Sequence, residues 1–550
     1  MSAARSVVSS AKLIAVCTLL SRVTGLARDI LLVRVFALSY VQDAFNYAFA
    51  FPNFFRRLFG EGGLTPVFVP TFTQTLEREG REAAWRVLAQ TLALLTTTLL
   101  TLCAAIELVL AALWLAAPPA PSPDVEARRL VLGLTGVMAP FMVSICVLAL
   151  LSSILNCLGS FVPAALAPVL LNVCMLAALL GGPALGFGSP QSHVFLVAAS
   201  VLAAGLLQLA FLYPALRRHG VRLGWRLETR DPAVRQMLVR LPPVILGQSV
   251  LALGVLLDVQ LCWMFSHRDG APSQVHWLGW TFTYPLQEGA LSAVTVAQRL
   301  YQFPLGVLVI SIATAALPAF SRLAAREDWS AWASEVRQSL RLAVFEGLMA
   351  GSVMLVAAEP IVRFLFQYGD FGPESTQRTQ RVLAWYGVAM WAFCAQHIVT
   401  RGFYSLGDVR TPLVIGCVLL PANLLLSFLL LWVDAIRESA FAISACVTSS
   451  LAVVAGLQLL RRRVPIALFT RSLLLALLRM LLAAVVTAGV VSAVRWNISF
   501  EALRPALGSL LAARGLETLV LLAAGVGTFL LTAAALRLSE PRQLLPRRRA

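Results

Sequence analysis

Roughly fourteen apolar runs, each near or beyond the 20 or so residues that a helix needs to cross a bilayer, leave this chain one architecture. Within lipid the backbone must satisfy its own hydrogen bonds, and a helix does so segment by segment. The runs fall at about 8–35, 41–75, 87–117, 130–158, 162–184, 193–215, 240–266, 290–320, 340–368, 379–405, 411–434, 438–461, 471–495 and 515–537. The expected fold is therefore all-α, a polytopic membrane protein with about 14 transmembrane helices. At 59% hydrophobic and 13% charged over 550 residues, with a mean hydropathy of +0.80, the chain exceeds the roughly 45–50% apolar content of soluble domains.

Loop charge sets the orientation. Arginines cluster after the even-numbered runs: Arg78, Arg81 and Arg86, then Arg217, Arg218, Arg222 and Arg226, then Arg322, Arg326 and Arg337, then Arg461, Arg462 and Arg463, and finally Arg547, Arg548 and Arg549. Connectors on the other side mix arginine with acid, as Asp124 and Glu126 with Arg128 and Arg129. The positive-inside rule then makes both termini cytoplasmic. A net charge of +17 points to topology and not to nucleic acid, because the basic residues lie in short connectors and not on one binding face. The nine cysteines all fall in apolar runs without a CxxC pair and read as small core residues. No cleavable signal peptide is expected, since the first run leads straight into polar residues.

Those polar residues are the second constraint. Ser21–Asp29 (SRVTGLARD) and Phe51–Gly62 interrupt the first two runs, and Arg299 stands in the eighth. A charge at mid-bilayer costs about 2.5–3.5 kcal/mol on insertion scales, so such residues face a wet interior or meet something anionic. Arg22 and Asp29, seven residues apart, lie about 20° from one another on a helix and can pair; Arg28 lies on another face. Gly25 offers a place to bend or to be approached closely. Arg57 and Glu61 can pair at i,i+4, while Pro52 and Gly60-Glu61-Gly62-Gly63 predict an unwound stretch of the kind that lines transport sites. Ser292 and Arg299 again share a face. A guanidinium fork matches phosphate oxygens and stays charged when desolvated, so Arg22, Arg28, Arg56, Arg57 and Arg299 together suit a diphosphate. The competing reading is that some of them snorkel to lipid headgroups. Asp258, alone in the apolar run Leu251–Phe265, reads either as a functional acid or as a neutral structural one.

The strings SRVTGLARD, DAFNYAFAFPNFFRRLFGEGGLTPVFVP (43–70), AQRLYQFPLGVL (297–308), FQYGDF (366–371) and GFYSLGDVRTP (402–412) resemble the MurJ (MviN) lipid II flippase family of the MOP exporter superfamily. The resemblance covers essentially the whole chain and is strongest in the first two runs. It implies two six-helix bundles around a central cationic cavity, plus two C-terminal helices forming a groove for a lipid tail. The implied parts are an N-terminal lobe at 1–215, a basic cytoplasmic connector at 216–239, a second lobe at 240–463 and the C-terminal pair with its basic tail at 464–550. It implies a transporter in the bacterial cytoplasmic membrane, not an enzyme, that carries lipid II to the outer leaflet by alternating access. Arg22, Arg28, Arg56, Arg57, Arg299 and Ser292 match the family's substrate-binding positions. Asp43 and Glu61 match its gating acids, with Asp29 and Gly25 beside them.

Gln298 and Gln302 stand where the family often carries acids, which leaves Arg299 without its usual gate partners. A sodium site in some members maps to Asp258, Asn423 and Ser427, and no other cofactor is implied; sodium or proton coupling is the expectation. Expected partners are lipid II, membrane lipids and cell-wall synthesis or division proteins. The alternatives are a MOP-type exporter of another polyprenyl-linked glycan or small molecule, a glycan polymerase, and a non-transporting scaffold. Drug cations require a cavity acid where this chain concentrates arginine, and a polymerase requires placed carboxylates that no DxD-like pair supplies.

Overall fold

The computed structural model describes residues 2–59, 65–116, 122–227, 231–272, 274–277, 280–465, 470–498, 505 and 509–544. Backbone packing divides the chain into two compact units, Met1–Leu291 and Ser292–Ala550.

The first unit contains α1 (Ser2–Phe36), α2 (Tyr40–Phe55), α3 (Thr65–Arg78), α4 (Arg81–Ala116), α5 (Pro123–Met138), α6 (Phe141–Cys157), α7 (Val162–Gly181), α8 (Pro190–Arg218) and α9 (Pro232–Met264). Several begin at a hydroxyl or carboxylate that accepts an otherwise orphaned N–H, followed by proline at the first helical position. Ser122 accepts from Val125 ahead of Pro123, Ser189 from Ser192 ahead of Pro190, and Asp231 from Ala233 ahead of Pro232. Phe45, Phe68, Phe72, Met138, Phe141 and Ile154 fill the core between these helices. The unit extends past the basic connector at 216–239 because α9 packs on α2, α3 and α4. Tyr47 of α2 donates to Gln260 of α9, and its ring lies 5.6 Å from that of Trp263.

The connector before the next helix folds into a short antiparallel hairpin, β1 (Gln274–Trp277) and β2 (Trp280–Thr283), with Gln274 opposite Thr283 and Trp277 opposite Trp280. Aromatic and β-branched residues favour that pairing. Gly289 closes the connector in the left-handed region at φ +78°, where a Cβ would fall 2.4 Å from the Leu38 carbonyl oxygen; only glycine fits. Its neighbour Glu288 accepts from the Tyr40 and Asp269 N–H groups, both at 2.9 Å.

The second unit contains most of α10 (Ala290–Ala325), then α11 (Trp329–Phe366), α12 (Pro373–Ser405), α13 (Arg410–Leu430), α14 (Ala440–Arg463), α15 (Arg471–Asn497), α16 (Leu510–Ala535) and α17 (Glu540–Leu544). Phe320, Trp332, Phe345, Tyr386, Phe403 and Phe441 are among its largest fully buried side chains. Two of the family-like strings prove to be turns. In FQYGDF, Phe366 and Phe371 are buried with ring centroids 6.2 Å apart around Gly369 at φ +59°. In GFYSLGDVRTP, Gly407 turns the chain at φ +72° and Asp408 caps α13, accepting from the Arg410 and Thr411 N–H groups and the Thr411 hydroxyl. Burial opposes its charge, but the Thr411 hydrogen bonds, the Arg463 guanidinium and the Arg410 N–H together hold this carboxyl below the usual range.

Among the described residues, ten helical stretches are long and apolar enough to cross a membrane by length and composition. They match the third to sixth and ninth to fourteenth apolar runs. Helices α1, α2 with α3, α9 and α10 occupy the positions of the other four.

Candidate functional site

Helix α1 passes through Ser21–Asp29 without a break, so Gly25 does not interrupt it. Arg28 is buried, 8% exposed. Its Nε and Nη2 donate to Asp29 Oδ1 at 3.0 and 2.7 Å, and its Nη1 donates to Asn172 Oδ1 of α7 at 2.9 Å. The Asn172 amide nitrogen in turn donates to the Ser21 carbonyl and the Thr24 hydroxyl, both at 3.1 Å. Ser21, Thr24, Gly25 and Arg28 follow the i, i+3, i+4, i+7 pattern of one helix face. A Cβ at Gly25 would sit 3.5 Å from Asn172 Nδ2, so the glycine lets α7 come close. The Asp29 carboxylate thus takes two donors from its sequence neighbour. Arg22 is half-buried on the same helix.

In the second run Ser39 caps α2, and Asp43 is 2% exposed in its first turn, where the helix dipole favours an acid. Pro52 lies within α2, and residues 56–59 wind as a π-helix, a loosening common at functional sites. Arg56 and Arg57 are half-buried in that segment, with Arg56 Nε donating to Asn53 Oδ1 at 3.3 Å. The Phe55 carbonyl accepts from the Cys146 thiol of α6 at 3.5 Å. Glu61 and the rest of the expected unwound stretch, 60–64, lie outside the described residues.

In the second unit Ser292 is fully buried while Arg299, two turns on, is exposed. Gln298 donates its amide to the Tyr386 hydroxyl of α12 at 3.1 Å, beside Tyr301, whose ring lies 4.5 Å from Tyr386 and 5.2 Å from Phe393. The glutamine is thus a donor that an ionised acid at this position could not be. Gln302 is half-buried one turn further along.

The candidate cation ligands divide between the units, Asp258 half-buried on α9 and Asn423 and Ser427 on α13. Both α13 groups meet α14: Ser427 and Ser444 hydroxyls lie 2.5 Å apart, and Thr448 donates to Asn423 Oδ1 at 3.2 Å. Among the described residues no three His, Cys, Asp or Glu side chains cluster as metal ligands.

An apolar groove of about 470 Å³ opens in the second unit, lined by Leu340, Val344 and Leu348 of α11, Trp391 of α12, Leu457 of α14 and Leu481 of α15, among others. The expected pair of C-terminal helices contributes α15 to this wall; α16 instead backs α11 and α15, with Val353, Val491 and Leu521 buried together. Ion pairs reinforce the packing: Arg363 with Glu517, Arg495 with Glu359, and Arg341 with Glu540 at 2.6 Å.

The family model described as lipid II flippase MurJ matches residues 32–506. The probable lipid II flippase MurJ of Rhizobium meliloti (strain 1021) is 32% identical over 418 residues, which span 75% of this chain and 73% of the relative. Among solved structures, a lipid II flippase MurJ in an inward closed conformation superposes with a TM-score of 0.73 at 18% identity, covering 95% of this chain and 98% of that one. An inward-facing multidrug resistance MATE transporter of the MOP superfamily shares the fold with a TM-score of 0.64 at 15% identity over 80% of this chain and 94% of its own. A multi-pass helical chain with a buried arginine at the third turn of its polar stretch, matched by the family model over most of its length, belongs to the MurJ lipid II flippase family.

Proposed function

We propose that this protein moves lipid II, the undecaprenyl-diphosphate-linked peptidoglycan precursor, from the cytoplasmic to the outer leaflet of the bacterial cytoplasmic membrane. Both termini face the cytoplasm, as the arginine-rich connectors require. The observation that carries this reading is Arg28, a buried guanidinium whose charge is met by a carboxylate on its own helix and by one amide. A phosphate offers the same charge with paired oxygens, so it can replace Asp29 without separating any helices. Arg22, Arg56 and Arg57 supply the further charge that a diphosphate needs, and Arg299 carries the same charge in the second unit. Asp43 and Glu61 neutralise the site when it is empty, and Ser292 adds a hydrogen bond.

The isoprenoid tail occupies the apolar groove of the second unit, and opening to one leaflet and then the other moves the headgroup across. No bond is made or broken. Asp258 in the first unit, and Asn423 with Ser427 in the second, are the candidate sodium ligands for coupling. The test is growth of cells depleted of their own flippase. Arg28→Ala or Arg299→Ala, produced at normal levels, should fail to restore growth while lipid II accumulates on the cytoplasmic side. Full rescue by both variants defeats the reading, and intact precursor export with altered drug sensitivity alone points to another MOP exporter.

A further inference from the structure

Glu346 stands midway along α11 with 4% of its surface exposed. Its Oε2 is buried without a hydrogen-bond partner. The other buried glutamates described in this unit each meet an arginine: Glu438 with Arg378, Glu517 with Arg363, and Glu540 with Arg341. Glu346 alone among them has no such counter-charge. Its surroundings also leave little room for solvent, because α11 and α12 touch backbone to backbone beside it. A Cβ at Gly347 would fall 2.7 Å from Trp391 Cα, and one at Gly351 would fall 2.4 Å from the Gly387 carbonyl oxygen.

The groups that could tune this acid are few. From α12 the titratable neighbour is Cys394, close enough to interact with its charge, with His397 and Arg401 further along that helix. On α15, Arg479 is exposed and Arg495 is held by Glu359. On α16, Arg514 donates to the Gln367 carbonyl and Glu517 is paired, and on α17 Glu540 is paired. An ionised carboxylate enclosed in this way, with no donor, is strongly disfavoured by the loss of its hydration. An acid kept at such a position within a membrane helix is by default a functional group.

We propose that Glu346 is a proton-binding site. It holds a proton in the conformation seen here and gives it up to water when α11 and α12 part, so that repacking of the second unit is coupled to proton movement. The coupling takes alternating access from the function proposed above; occupancy by a proton does not. Infrared difference spectra of the purified full-length protein, neutral against strongly alkaline, should show a carboxylic-acid carbonyl band that Glu346→Gln loses and Glu346→Asp retains at a shifted position. In proteoliposomes carrying lipid II, the translocation rate of the wild type and of Glu346→Asp should change with the sign of an imposed pH gradient, and that of Glu346→Gln should not. An identical acid band in wild type and Glu346→Gln overturns the proposal, as does the same gradient response in both. Band loss in a protein that moves no precursor upholds the proton site and overturns the functional reading instead.

Discussion

Arginine meets acid in both units, but in two different ways. On α1 the partners Arg28 and Asp29 are sequence neighbours, and Arg28 also donates to Asn172 of α7. In the second unit Arg363 and Glu517, Arg495 and Glu359, and Arg341 and Glu540 each bridge α11 to α16, α15 or α17. Breaking the first kind of contact turns a side chain, whereas breaking the second separates helices. An ion pair within one helix can therefore exchange its acid for a ligand while the fold stands. Ion pairs between helices act as clamps, and the one between Arg495 and Glu359 holds α15 against α11, two helices that line the apolar groove.

Four substitutions sharpen or break that distinction. Arg28→Lys keeps the charge but loses the planar fork, which removes about 1.5–3 kcal/mol of charge-assisted bonding. Lipid II translocation should fall by about tenfold or more while the melting temperature barely moves. Glu517→Gln removes a clamp whose side chains are 20% and 8% exposed. It should lower unfolding stability by about 1–3 kcal/mol, between the exposed and buried limits for ion pairs, and leave headgroup binding intact; thermal denaturation in detergent reads the first and lipid binding the second. Asn172→Ala frees one Arg28 donor and two α1 acceptors. A loss near 1 kcal/mol, or about fivefold in translocation, is expected in proteoliposomes. Glu359→Gln acts on a pair about one-third exposed and should cost less than about 1 kcal/mol. A stability loss from Arg28→Lys as large as that from Glu517→Gln would erase the contrast between exchangeable pair and clamp.

Arg28 was legible in the sequence because a charge inside an apolar run has few physical excuses. Its amide partner was not, since Asn172 is 144 residues away and a single asparagine in an apolar helix carries no periodic signal. The only available hint was that Asn172 is the one strongly polar side chain in the run 162–184. Helical angles did not point to the bond between Arg28 and Asp29, because they place Cβ atoms and ignore how far a guanidinium can fold back toward the next residue. Gln298 read as the loss of a gate acid, whereas its bond to the Tyr386 hydroxyl depends on where α12 lies. The hairpin at 274–283 was missed because strands of four residues are too short to show alternation. Helix positions, by contrast, followed from run length, since lipid leaves the backbone little else to do.

Binding of undecaprenyl diphosphate to the purified protein, with the polyprenyl alcohol as control, tests most directly whether Arg28 exchanges Asp29 for phosphate. Arg28→Ala should weaken diphosphate binding by about tenfold or more, as expected for charge-assisted bonds. Asp29→Asn should tighten it by removing the competitor, and neither should alter binding of the alcohol. Equal diphosphate affinity in wild type, Arg28→Ala and Asp29→Asn would contradict the exchange and leave the arginine a purely structural charge.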